Sequence, residues 1–140
     1  MNLSIVLGTR PEIIKMSSQI RECEKRGLDY FILHTGQHYS YNMDKVFFEQ
    51  LRLPEAKYNL DVGSGSHTEE IGKMVIGIEK VLLKENLDVV LVEGDTNTVL
   101  LTLHRPENVD SRKRLFILKS VRVKPFNQVT EAGVVVPLKR

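Results

Sequence analysis

One cysteine, sparse aromatics and the want of any long apolar run set the first limits on this chain. Cys23 is the single cysteine among 140 residues, which excludes an intrachain disulfide framework and a cysteine-ligated metal cluster. No apolar stretch nears the about 20 residues needed to cross a bilayer. Charged and helix-breaking residues follow the first apolar run at once, so a secretory leader is not expected. These absences predict a reduced, cytoplasmic protein. Aromatics make up 6% of the chain, and only Phe116 and Phe126 punctuate its most basic stretch, which disfavours a stacking platform for single-stranded nucleic acid. Repeats and low-complexity tracts are missing too. Gly63-Ser64-Gly65-Ser66 precedes a helix and could cradle phosphate, but it lacks the lysine of a P-loop and follows no strand, so a hinge or flexible loop is the better reading.

What is present suffices for one compact core: 41% apolar and 27% charged residues over a domain-sized length. The net charge of +2 conceals an asymmetry. Residues 112–140 hold eight basic side chains against the single acid Glu131, while the remaining 111 residues hold 12 basic and 17 acidic groups. A basic tail on an acidic domain is a candidate polyanion handle, but ordinary solvated charge is the better reading.

Apolar periodicity alternates between strand and helix along the first hundred residues. Leu3-Ser4-Ile5-Val6-Leu7 reads as a buried strand. Residues 12–26 place Ile13, Met16, Ile20 and Cys23 on one helical stripe that Gly27 terminates. Asp29–His34 predicts a second buried strand. A short helix over Met43–Arg52 is expected to bury Val46, Phe47 and Leu51, with residues 55–65 as a connection. Ser66-His67-Thr68-Glu69 has the form of a capping box and opens a helix with Ile71, Met74, Val75, Ile78, Val81 and Leu82 on one face; His67 is expected to be exposed. Asp88–Val92 is the third buried strand. This order predicts an α/β fold built on a Rossmann-like, doubly wound parallel sheet.

Strand ends of such a sheet face one ligand crevice. Here they carry Arg10, then Gln37 and His38, then Asp95. Pro11 and Glu12 mark a helix start directly after the first strand, so Arg10 brings a planar donor fork and Lys15 a mobile point charge to the strand–helix turn; on the motif alone, a solvated helix start carrying two cations is an equal alternative. A cation, a histidine and a carboxylate around one crevice suit acid–base work on a phosphorylated sugar. His34 and His38 fall on a strand end and its loop, which disfavours a metal pair, and no metal site is expected.

Four motifs in order carry a resemblance: Gly8-Thr9-Arg10-Pro11-Glu12-Ile13-Ile14-Lys15, His34-Thr35-Gly36-Gln37-His38, Gly94-Asp95-Thr96 and Leu103-His104-Arg105-Pro106-Glu107-Asn108-Val109. Over residues 1–115 the chain closely resembles the non-hydrolysing UDP-N-acetylglucosamine 2-epimerase family. The resemblance implies the first domain of a two-Rossmann-domain, GT-B-like fold. It implies interconversion of UDP-N-acetylglucosamine and UDP-N-acetylmannosamine by elimination and re-addition of UDP, with no metal or nicotinamide cofactor. A UDP-sugar is the implied substrate; neither membrane nor nucleic acid is, and a homo-oligomer is compatible. Elimination builds negative charge on the departing diphosphate, which preorganised cations stabilise in the transition state. By resemblance Arg10 and Lys15 hold the nucleotide, Gln37 and His38 line the substrate site, Asp95 handles a proton and His104 is the active-site histidine.

The departures from the family are as specific. Glu93 stands where glutamine or histidine is expected, and a carboxylate there weakens anion binding if it faces the crevice. Family members carry a further segment, roughly a hundred residues on the scale of two Rossmann halves, between the positions matching Leu100 and Leu101. The expectation is therefore an internally deleted, truncated member, incomplete for catalysis, with a non-catalytic sugar-nucleotide or partner-binding module as the alternative. Its parts are a Rossmann-like portion over 1–100, a His-Arg-x-Glu-Asn remnant over 101–115 and an unassigned basic tail over 116–140. Residues 93–100 are too few for the crossover of about a dozen that a parallel neighbour requires, so Leu101–His104 is not expected to be the next parallel strand. A helix over Asn97–His104, with Val99, Leu100 and Leu103 inward, is the alternative, and Gly133–Leu138 is a candidate late strand.

Overall fold

The computed structural model describes residues 2–36, 41–63, 65–94, 98, 102, 114–118 and 133–136. In order these form β1 (Asn2–Leu7), α1 (Arg10–Lys25), β2 (Asp29–His34), α2 (Tyr41–Gln50), β3 (Tyr58–Asn59), α3 (His67–Lys84), β4 (Val89–Glu93), β5 (Arg114–Leu118) and β6 (Gly133–Val136). Among the described residues they make one six-stranded sheet in the order β3-β2-β1-β4-β5-β6. The first five strands run parallel, and β6 pairs antiparallel with β5. Central β1 aligns Ile5 with Ile32 on one side and with Leu91 on the other.

The strands read as continuous apolar runs because both faces of the sheet are covered. Leu3, Ile5 and Leu7 of β1 pack with Ile13, Met16, Ile20 and Cys23 of α1 and with Phe48 of α2. On the opposite face Val6, Phe31, Leu33, Val90 and Val92 meet Met74, Ile78, Val81 and Leu82 of α3. The period-two alternation of strand side chains thus feeds two separate cores from one strand. Burial pushes the Cys23 thiol above its ordinary range, which keeps it in the unreactive protonated form. None of the described helices is long and apolar enough to cross a membrane.

Both long helices start and stop where local chemistry demands. Gly27 adopts φ 61°, and the Leu28 N–H donates to the Cys23 carbonyl while Gly27 N–H donates to Glu24. That double bond pattern closes α1 on a glycine that bears no Cβ penalty in the left-handed region. At α3, Ser66 Oγ accepts from Glu69 N–H at 3.3 Å, and Glu69 Oε2 accepts from Ser66 N–H at 2.8 Å. The backbone bond from Ser66 holds the Glu69 carboxyl below its usual range. A depressed carboxyl stabilises the fold above its unfolded pKa and loses that contribution as pH falls through the folded value. Ser66→Ala is expected to cost about 1 kcal/mol, read as a lower urea midpoint at neutral pH; an unchanged midpoint would remove the box from the stability of α3.

Three features depart from, or add to, the periodicity reading. Val46 is 44% exposed rather than buried, and Phe48 takes the inward position, with Phe47 and Leu51 packed partly against the core. Among the described side chains, the inward stripe of α2 includes Asp44, itself buried, so apolar spacing alone sets the wrong phase. Within the expected connection, Tyr58 and Asn59 pair with Leu33 and His34, an edge strand too short to leave an alternation pattern. Parallel β5 follows β4 only after residues 94–113, room enough for a crossover, and it spans residues 115 and 116. Thr98 and Thr102 within that crossover are helical and buried, with the Thr102 hydroxyl donating to the Thr98 carbonyl at 2.6 Å. Val99, Leu100 and Leu103 lie outside the described residues.

Candidate functional site

The turn from β1 into α1 is built by Glu12. Its carboxylate reaches back to accept from the Gly8 amide at 2.5 Å and the Thr9 amide at 3.0 Å, and it is 2% exposed. Pro11 lies in the first turn of α1, where its missing N–H removes no helical bond. Arg10 opens α1 and therefore stands at the carboxyl edge of β1, at the strand–helix turn the sequence predicts, with its side chain 36% exposed.

Arg10 is tied to α2. Its Nε lies 3.6 Å from Asp44 Oδ1, and its guanidinium sits 5.8 Å from the Phe47 ring centroid. The second Asp44 oxygen is 3.3 Å from His34 Nε2, at the end of β2. On the far side of that ring, Nδ1 is 3.4 Å from Asn59 Oδ1 on β3, and the same oxygen accepts from Asp61 N–H at 3.2 Å. Both ring nitrogens of His34 thus face oxygen acceptors. Asp44 and His34 are each 1% exposed, and burying an acid to that degree calls for polar partners of the kind that Arg10 and His34 bring to it. His34, Asp44 and Phe48 also line a shallow cleft of about 60 Å³ with Leu53 and Ala56, too small for a nucleotide. Sequence reasoning passed over Asp44; the available signal was a charged residue in register with Phe47, Phe48 and Leu51.

Lys15 is placed one turn further along α1, also as expected, but its ammonium is not left to a ligand alone. Nζ contacts Glu93 Oε1 at 2.9 Å; Lys15 is 45% exposed and Glu93 is buried. The unexpected carboxylate at the end of β4 therefore faces the cation that the resemblance assigns to phosphate. The other expected site residues, Gln37, His38, Asp95 and His104, lie outside the described residues. Their described neighbours do meet: Thr35 Oγ1, just past β2, is 3.2 Å from Thr98 Oγ1, beyond β4, and Thr35 N–H donates to the Leu7 carbonyl at 2.8 Å. Gly36 follows with φ 68°, and a Cβ there would lie 3.3 Å from the Asp61 Cα, so this turn requires glycine.

The family model described as UDP-N-acetylglucosamine 2-epimerase matches residues 21–102. The UDP-N-acetylglucosamine 2-epimerase of Methanocaldococcus jannaschii is 68% identical over 100 residues, covering 71% of this chain and 27% of that protein. The enzyme of the same name from Methanococcus maripaludis is 61% identical over 98 residues, 70% of this chain and 26% of that protein. The chain thus spans about a quarter of the length of these relatives. A crystal structure of the M. jannaschii epimerase with UDP-GlcNAc and UDP superposes with a TM-score of 0.74 at 58% identity, over 84% of this chain and 32% of that one. The Neisseria meningitidis epimerase bound to UDP-GlcNAc gives 0.67 at 30% identity, over 74% and 28%. On the family match and these likenesses together, the chain belongs to the UDP-N-acetylglucosamine 2-epimerase family.

Proposed function

We propose that this chain serves the interconversion of UDP-N-acetylglucosamine and UDP-N-acetylmannosamine, and that its described part forms the nucleotide-sugar side of the site. The observation that carries this reading is Arg10, held at the β1–α1 turn on the carboxyl edge of the sheet between Asp44 and the start of α1. A guanidinium in that place binds a diphosphate bidentately and stabilises the charge that builds as UDP departs. Lys15 supplies a second cation, damped by Glu93. Asp95 and His104 are the proposed proton-handling groups, and Gln37 and His38 the proposed sugar contacts. Support for a convergence comes from Thr35 and Thr98, whose hydroxyls meet and which lie within three residues of Gln37, His38 and Asp95 along the chain.

The test is calorimetric titration of UDP into the purified chain and into Arg10→Ala, with circular dichroism confirming that both are folded. Arg10→Ala is expected to weaken UDP by about tenfold, the loss of one charge-assisted contact; equal affinities would remove Arg10 from the site. A second reading, a sugar-nucleotide-binding module without turnover, is favoured by the quarter-length match to the relatives. Incubation with UDP-N-acetylglucosamine separates the two. Epimer formation supports the enzyme, and UDP binding without UDP release or epimer supports the module.

A further inference from the structure

Asp44 occupies a position that its own helix does not explain. It stands in the first turn of α2, where an exposed acid would already satisfy the helix dipole, yet it is 1% exposed and turned onto the sheet edge. There it contacts groups from two other elements: Arg10 Nε of α1 at 3.6 Å and His34 Nε2 of β2 at 3.3 Å. His34 is in turn braced by Asn59 of β3 at 3.4 Å and lies edge-on to Phe48, with ring centroids 6.0 Å apart. Phe47, three residues along the same helix, flanks the Arg10 guanidinium. Helix α2 thus offers Arg10 a carboxylate and a ring, and the second carboxylate oxygen faces a fully buried imidazole at 3.3 Å.

We propose that Asp44 is a positioning residue for a nucleoside diphosphate: by holding Nε of Arg10, with His34 as its brace, it sets the direction in which the guanidinium meets the diphosphate. This rests on the reading that Arg10 binds the diphosphate of UDP. A long side chain at a helix start loses rotamer freedom on binding, and an ion pair at Nε, 3.6 Å from Asp44 Oδ1, lowers that loss in advance while the planar fork keeps its geometry. Asp44 need not touch the ligand to do so. Its charge opposes the anion, so the benefit is orientation rather than attraction.

The experiment is a double-mutant cycle on the full chain, with UDP as the probe and Asp44→Asn, Arg10→Ala and the pair as variants, each checked by circular dichroism and thermal melting. Asp44→Asn is expected to weaken UDP about as much as Arg10→Ala does, on the order of tenfold, and the double variant to bind no more weakly than Arg10→Ala alone, because the two act as one unit. A folded Asp44→Asn chain with wild-type affinity, or losses that add independently in the double variant, overturns the positioning role while leaving Arg10 in the site. If Arg10→Ala binds UDP as the wild type does, the functional reading fails and the proposal with it. Should Asp44→Asn prevent folding, side-chain NMR of the wild type decides. Slow solvent exchange of the Arg10 Nε–H without UDP is expected, and exchange as fast as that of an exposed guanidinium overturns the proposal.

Discussion

Glu12→Ala is expected to destabilise the chain by about 3 kcal/mol, because it orphans two backbone donors at once and each buried unsatisfied amide costs about 1–3 kcal/mol. The Gly8 and Thr9 amides both donate to the Glu12 carboxylate, and Gly8 itself is buried, so water does not replace the acceptor freely. Removing a negative charge at the start of α1 adds a smaller loss of the same sign. Both amides donate to the same oxygen, Oε2, so Glu12→Gln, which keeps one acceptor oxygen at the same reach, is expected to recover most of that loss, short of the charge-assisted part. Urea unfolding of the three chains checks the order. A Glu12→Ala midpoint equal to the wild type would show that the β1–α1 turn holds without its carboxylate. The functional corollary is that UDP affinity falls in Glu12→Ala even where the chain stays folded, since Arg10 leaves this same turn.

Glu93→Gln is expected to tighten UDP by about tenfold. The Glu93 carboxylate lies 2.9 Å from Lys15 Nζ at the end of the strand adjoining β1. At an effective dielectric of about 20, one unit charge roughly 10 Å from a diphosphate charge is worth on the order of 1–2 kcal/mol, and removing it releases the Lys15 cation to the ligand as well. Glutamine keeps the volume and a polar contact to the ammonium, so stability should change by less than about 1 kcal/mol. Titration of UDP at two salt concentrations measures the effect, and the gain should shrink as salt rises. Unchanged or weaker binding would mean that Lys15 and Glu93 form a structural pair apart from the nucleotide. Lys15→Ala makes the converse point: it leaves Glu93 buried without its ammonium, at a cost of about 2 kcal/mol once the half-exposure of Lys15 is discounted.

Over the first hundred residues the long helices and the three buried strands were legible because the signals that specify them are local, whereas β5 (Arg114–Leu118) was not. The stripe Ile13, Met16, Ile20 and Cys23 faces one core, as its spacing implies, and Ser66 with Glu69 caps α3 through bonds between residues three apart. The helical phase of α2 was not legible. Its inward face carries Asp44, and an acid counts as surface in any apolar-periodicity argument. Edge strand β3 escaped for a different reason: two residues paired to Leu33 and His34 derive their conformation from β2, not from their own sequence.

By itself the sequence determined the alternation of strands and helices, the placing of Arg10 and Lys15 at the first strand–helix turn, and through its motifs the family. Only the tertiary structure decided which carboxylate each cation meets. Lys15 and Glu93 are 78 residues apart in the chain and become neighbours when β4 docks beside β1. Asp44 becomes a buried partner of Arg10 and His34 only when α2 closes over the edge of β2. Local spacing specifies which face of a helix is apolar, whereas the burial and pairing of a charge depend on groups brought from distant segments, whose positions the sheet order sets.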